Sequence, residues 1–270
     1  MDNIQIKSDL IKQLIEISKE AGNAILEIYH SDFDYTFKDD STPLTKADQQ
    51  AHEIITKKLH KLTPHIPILS EEDSDISFKK RSTWDKYWLI DPLDGTKEFI
   101  KMNGEFTVNI ALVENNSPTL GLIHLPVTSE TYWGSKTNGS YYLNSNNKSK
   151  KISVSTKSKN TITIMASRSH PNEKLDSLLD KIEHYEIINR GSSLKFCQIA
   201  SGQADVYPRF GLTSEWDIAA GHAILLGASG NIYDLNGSEI KYNIKSSYLN
   251  PFFIASNSKE LYFKLIKYLQ

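Results

Sequence analysis

The 270 residues contain a single cysteine, so no disulfide can form within the chain. That residue, Cys197, sits in the helical-looking run Leu194-Lys195-Phe196-Cys197 and reads as a buried structural thiol, not a nucleophile. No apolar run is long enough to span a bilayer. The start, Met1-Asp2-Asn3-Ile4, lacks the basic region and apolar core of a secretory signal. These absences together point to the cytoplasm. Neither sign of charge dominates: 31 Lys and Arg face 33 Asp and Glu, a net charge of -2. That leaves no basic footprint for nucleic acid. The Lys-rich stretch from Lys148 to Lys159 is interleaved with Ser and Asn and reads as a solvated hairpin or linker. An anionic substrate would therefore draw most of its attraction from bound cations.

What is present is ordinary for a globular chain, with 39% hydrophobic and 24% charged residues, and its length suits one large domain or two of common size. Residues 8–29 carry Leu10, Ile11, Leu14, Ile15, Ala21, Ile25 and Ile28 at helical spacing. A second helix is expected from an N-cap at Thr45 to Leu62, after a polar loop over 37–44. Strands are expected at 66–69, 106–113, 119–124, 131–133 and 141–143, with Asn138-Gly139 as a hairpin turn. The Asn/Ser/Lys-rich segment 144–160 marks a boundary between an N-terminal part, 1–150, and a C-terminal part, 151–270. Beyond it strands (162–166, 186–188, 204–207) alternate with helices (172–182, 193–201, 217–226), the pattern of an α/β layer.

Asp91-Pro92-Leu93-Asp94-Gly95-Thr96 is the most informative segment. The apolar run Tyr87-Trp88-Leu89-Ile90 leads into it as a buried strand, and Pro92 should stop that strand at Asp91. Two carboxylates and a turn carbonyl suit a hard divalent cation, although such a turn can also exist for its own sake. Glu71 follows another short strand, and Asp217 opens a helix of small residues. Each alone has a plain reading: a solvated loop acid for Glu71, a helix-dipole partner for Asp217, an early-turn acid for Asp48. His222 reads as a packed histidine, and Tyr207 and Trp216 as core.

Ser70-Glu71-Glu72, Trp88 through Thr96 and Glu215-Trp216-Asp217-Ile218-Ala219-Ala220-Gly221 resemble, in order and spacing, the inositol monophosphatase superfamily of metal-dependent phosphatases. Within it, Lys97-Glu98-Phe99, Asn103 through Ala111, Ser167-Arg168-Ser169-His170, Gly191 through Cys197 and Tyr207-Pro208-Arg209-Phe210-Gly211 resemble the CysQ-type 3'(2'),5'-bisphosphate nucleotidase branch. The likeness runs from Leu10 to Ser256. Leu212 stands where a proline is common, which alters no metal ligand.

The resemblance implies an α+β, layered αβαβα sandwich with an antiparallel sheet in the N-terminal part. It implies two or three Mg²⁺ ions. Glu71, Asp91 and the Leu93 carbonyl would hold the first, and Asp91, Asp94 and Asp217 the second. Asp48 and Thr96, with Glu71, become the catalytic set that activates water. Gly95 and Thr96 N–H groups would hold phosphate oxygens. Lys97, Ser192, Ser193, Lys195 and Arg209 become candidates for the second phosphate and ribose, beside Asp217. Lys97 and Lys195 read equally as solvated charges. His170 reads as an adenine-stacking residue or as a turn residue before Pro171. The implied substrate is adenosine 3',5'-bisphosphate, with its 5'-phosphosulfate analogue second. The alternatives are a phosphatase of inositol or another sugar phosphate, and a non-catalytic nucleotide sensor. Sensitivity to Li⁺ is implied as well. Monomer and homodimer stay open, as does peripheral association with the inner face of the membrane.

Overall fold

The computed structural model describes residues 8–31, 36–37, 43–44, 46–156, 160–169 and 172–269. Helices α1 (Ser8–Tyr29) and α2 (Lys46–Leu62) follow the expected spans, while Thr45 lies outside the described residues. The supposed polar loop has paired ends: β1 (Thr36–Phe37) runs antiparallel to β2 (Pro43–Leu44).

The first sheet has seven strands in the order β3-β4-β5-β6-β7-β8-β9. They are β3 (Ile68–Ser70), β4 (Lys86–Asp94), β5 (Thr107–Glu114), β6 (Ser117–Leu125), β7 (Glu130–Ser135), β8 (Gly139–Leu143) and β9 (Ser149–Ile152). Only β3 pairs parallel, with β4. The short helices α3 (Phe78–Arg81) and α4 (Thr96–Ile100) flank β4 in sequence. β9 falls inside the segment expected to be a boundary; its pairing with β8 turns Ser149–Ile152, part of the Lys-rich stretch, into a sheet edge.

The second sheet is mixed, in the order β11-β10-β12-β14-β13. Its strands are β10 (Ile162–Ser167), β11 (Tyr185–Arg190), β12 (Val206–Arg209), β13 (Asn231–Asp234) and β14 (Phe253–Ser256). Three of the helices here match the expected alternation: α5 (Glu173–Leu179), α6 (Leu194–Ala200) and α7 (Glu215–Gly227). The strands β13 and β14 and the helix α8 (Lys259–Leu269) were not anticipated, and β14 runs antiparallel to both of its neighbours.

Strand alternation shows how the layers stack. On β4, Trp88 and Ile90 join the core under α1 and α2, while Tyr87 and Leu89 join the core under α6 and α7. Both faces of the sheet are covered, which is why this strand reads as an unbroken apolar run. The second sheet closes on the other side of α6 and α7, and Leu178, Ile254 and Leu265 form a third cluster beneath α5 and α8. The result is αβαβα. The central core joins Leu89 of the first sheet to Phe253 of the second through Phe196 and Ala219.

Helix α7 is buried almost all round, as a helix between two sheets must be. Small residues let it sink in. A Cβ on Gly121 of β6 would come within 2.1 Å of the Ala220 carbonyl oxygen. That depth carries the helix start, with Asp217, to the end of β4. No described helix is long and apolar enough to cross a membrane.

Candidate active site

Strand β4 does not stop before Pro92 as expected but continues to Asp94. Asp91 pairs with Asn109 and Asp94 with Thr107, so three steps on β4 oppose two on β5. This extra residue is a bulge, and a proline costs no ladder hydrogen bond there. In an unbroken strand, residues three apart face opposite sides. The bulge resets the alternation, so Asp91 and Asp94 can serve one site. The Leu93 N–H donates to Asp91 Oδ1 at 3.1 Å and tightens the turn. At Gly95 the backbone reaches φ +95°, a conformation glycine adopts without Cβ strain, and Thr96 opens α4 directly after it.

Glu71 comes in from β3. Ser70 is in register with Ile90, and the Glu71 N–H donates to the Ile90 carbonyl at 3.2 Å. Asp217 lies in the first turn of α7, where its Oδ2 accepts the Ser214 N–H at 2.8 Å. It therefore caps its helix, as the plain reading had it, and also faces the other acids. Carboxylate oxygens of Glu71, Asp91 and Asp217 all lie within 4.8 Å of one another. Burial, followed by repulsion from Glu71, Asp94, Asp217 and Asp48, pushes the Asp91 carboxyl well above the usual range. Burial and the charges of Asp94 and Glu71 do the same to Asp217. Carboxylates pressed together away from water are short of positive charge. An all-oxygen set of this kind suits a hard cation such as Mg²⁺.

Asp94 is raised too, first by burial, while Lys195 and hydrogen bonds from Ser193 and Asn109 hold it down. The Ser193 N–H donates to Asp94 Oδ2 and Asn109 Nδ2 approaches the same oxygen at 3.4 Å. Asp48 is buried on α2, near enough to Asp91 to influence its charge.

A cavity of about 440 Å³ opens from Asp94 and Asp217, and Gly95, Thr96, Lys97, Ser192, Ser193, Lys195 and Arg209 line it. Lys97 is exposed. Lys195 is buried, which removes the solvated-charge alternative for it. Its Nζ donates to the carbonyls of Ser192 at 2.6 Å and Arg190 at 3.2 Å and sits 5.2 Å from the centre of the Tyr207 ring. Burial lowers its pKa to about 8 against the opposing pull of Asp94. Arg209 Nη2 donates to the Leu212 carbonyl at 2.9 Å. Leu93 is buried beneath the turn, and His170 lies outside the described residues. Tyr207 is core and cavity wall at once, whereas Trp216 and Cys197 are core. His222 is buried with Nδ1 2.9 Å from the Tyr242 hydroxyl, a packed histidine as expected.

Three polar residues with no assigned role also matter: Glu98, Glu105 and Asn109. All lie within segments that carried the resemblance, but a single carboxylate or amide in a strand or loop has no local signature of its contacts.

A sequence profile of the Inositol monophosphatase family matches residues 6–270. The 3'(2'),5'-bisphosphate nucleotidase CysQ of Salmonella typhimurium is 43% identical over 246 residues, covering 90% of this chain and 98% of that protein. CysQ of Buchnera aphidicola is 43% identical over 258 residues, covering 92% and 93%. The crystal structure of CysQ from Bacteroides thetaiotaomicron, described as a bacterial member of the inositol monophosphatase family, superposes with a TM-score of 0.83 at 38% identity, covering 95% of this chain and all of that one. An inositol monophosphatase from Thermotoga maritima shares the fold, with a TM-score of 0.77 at 23% identity and coverage of 97% and 96%. A profile spanning nearly the whole chain, together with relatives at this identity, makes the protein a member of the inositol monophosphatase family.

Proposed function

We propose that this protein is a Mg²⁺-dependent 3'(2'),5'-bisphosphate nucleotidase that hydrolyses the 3'-phosphate of adenosine 3',5'-bisphosphate to give AMP and phosphate. The 5'-phosphosulfate analogue is a second substrate. The observation that carries the reading is the meeting of Glu71, Asp91 and Asp217 within 4.8 Å beside a cavity walled by Lys97, Lys195 and Arg209. The high identity to CysQ nucleotidases over nine-tenths of the chain supports the choice of substrate.

Glu71, Asp91, the Leu93 carbonyl, Asp94 and Asp217 are the groups that would hold two or three Mg²⁺ ions. When bound, the ions supply positive charge that offsets the carboxylates and stabilises the charge that builds on phosphate during transfer. The remaining work belongs to the chain. Asp48 and Thr96 orient the attacking water and take its proton. The backbone N–H groups of Gly95 and Thr96, at the start of α4, hold phosphate oxygens. Lys97 and Arg209 face the second phosphate from the cavity wall. Ser192 meets the ribose; Ser193, expected beside it, is buried with its hydroxyl 2.7 Å from Asn109 Oδ1 and 2.8 Å from the Thr107 hydroxyl, so it braces the loop from within. Lys195, spent on two backbone carbonyls, shapes the loop that presents Ser192.

The test is phosphate release with Mg²⁺, comparing adenosine 3',5'-bisphosphate with inositol 1-phosphate. The expected preference in kcat/KM for the nucleotide is about a hundredfold, or about 2.7 kcal/mol of transition-state binding. A preference for inositol 1-phosphate would refute the substrate assignment while leaving a phosphatase.

A further inference from the structure

We propose that Glu105, seconded by Glu98, is a positioning residue for substrate choice: it fixes the wall of the cavity that faces the nucleoside. The proposal rests on the nucleotidase reading above. Glu105 lies between α4 and β5, and its carboxylate is the meeting point of four donors. Arg168 reaches it with Nε at 2.9 Å and Nη2 at 2.8 Å, a two-pronged pair. The Gly191 N–H donates at 2.8 Å, and Arg190 Nη1 at 3.3 Å. Burial alone would raise this carboxyl, but the bonds from Arg168 and Gly191 hold it below its ordinary value.

Glu98, on α4, works beside it. It is 5% exposed and accepts the Ser169 hydroxyl at 2.7 Å, while Lys101 Nζ donates to the same hydroxyl at 3.1 Å. A Cβ on Gly191 would come within 2.4 Å of Glu98 Cγ and 2.9 Å of the Glu105 carbonyl oxygen, so the loop after β11 lies flush against both residues.

The two loops held this way follow β10 and β11. Ser167, the last residue of β10, and Gly191 and Ser192, directly after β11, line the cavity. Glu105 itself does not line it, and neither acid belongs to the Glu71–Asp91–Asp217 cluster. The stretches 98–105, 167–169 and 190–193, which look unrelated along the chain, form one hydrogen-bonded unit. Loops after parallel strands have no ladder beyond their last residue, so their position depends on such anchors. Removing the anchor would blur the wall that meets a nucleoside, while a small sugar phosphate, held mainly through its phosphate, would notice less.

The experiment compares wild type with Glu105→Gln, Arg168→Ala and the double variant, measuring kcat and KM for adenosine 3',5'-bisphosphate and for inositol 1-phosphate. Thermal melts run in parallel, and Glu105→Asp serves as the conservative variant. The expected result is a fall of at least tenfold in the nucleotide-to-inositol ratio of kcat/KM for Glu105→Gln, expressed in KM. The double variant should be no worse than Glu105→Gln alone, because both changes break one unit. Glu105→Asp should recover part of the ratio. An unchanged ratio, or an equal loss on both substrates that tracks a lower Tm, would overturn the proposal. A wild type with no nucleotide preference would instead overturn the nucleotidase reading.

Discussion

Lys195 Nζ donates to the Ser192 carbonyl at 2.6 Å, so a buried cation beside Asp94 holds the loop whose Ser193 N–H donates to that same aspartate. Backbone and side chain thus tie the carboxylate turn of the first sheet to the loop after β11. The lysine has a neighbour for each of its functions, and its charge is spent inside the protein.

Lys195→Met, which keeps the stem and removes the ammonium, should lower kcat/KM by about 10–100-fold, or roughly 1.4–2.7 kcal/mol. The circular dichroism spectrum should stay that of wild type. Full activity in this variant would show that the loop is placed without the lysine.

Asp91→Asn should lower kcat by about 10³ or more, since a shared carboxylate supports several kcal/mol of charge stabilisation. The same change should raise Tm in EDTA, because it removes a charge that burial and four neighbouring acids disfavour. Wild type should gain Tm on adding Mg²⁺, and the variant should gain much less. Melts with and without Mg²⁺ measure both effects; equal Mg²⁺ shifts in the two proteins would contradict the ligand assignment.

Gly95→Ala should destabilise the protein by about 1–2 kcal/mol, because alanine is strained at φ +95°. The added methyl would also sit 3.2 Å from the Glu105 carbonyl oxygen and from Ser192 Cβ. The strain falls on the turn that precedes Thr96, so activity should drop more than Tm implies. Urea unfolding and steady-state rates on one sample decide this.

His222 gives a pH-dependent prediction. Burial, then the charge of Lys241, lowers its pKa from the ordinary 6.5 to about 3. Between those values the unfolded chain binds a proton that the folded one refuses. The contribution of His222 is therefore complete above about pH 6.5 and is lost as pH falls toward 3, at up to about 1.4 kcal/mol per pH unit. His124, lowered by burial to about 4, acts in the same direction. The raised carboxyls of Asp91, Asp94 and Asp217 act in the opposite sense. The difference between wild type and His222→Gln isolates the histidine: the gap in unfolding free energy should shift steadily from pH 7 to pH 5. A constant gap would refute the assignment.

Much of the fold was legible where the signal is local. The helix over 8–29 is amphipathic over six turns, and its observed limits match that reading. The meander from β5 to β8 carries dense apolar and aromatic residues bounded by turn formers, and it lies where expected within about two residues. The misses have long-range causes. β9 reads as part of a solvated hairpin or linker because its lysines face water on a sheet edge; only pairing with β8 decides for the hairpin. β13, β14 and α8 follow a polar stretch with weak periodicity. Their order in the sheet comes from β14 inserting between β12 and β13, a non-local pairing.

The residue types at the site were settled by the sequence itself. Carboxylates at 71, 91, 94 and 217, a turn glycine at 95 and a hydroxyl at 96 state their chemistry wherever they stand. Their working geometry was decided by tertiary structure. The bulge between Asp91 and Asp94 lets both serve one site, and it exists because β5 fixes the register opposite. The depth of α7 between two sheets decides that Asp217 reaches them. Burial by neighbours far along the chain decides that Lys195 is an internal anchor and that Glu98 and Glu105 gather two loops. Composition and periodicity describe a residue and its nearest neighbours. Charge state, contacts and exposure are set by what folds against it, and those partners lie far along the chain.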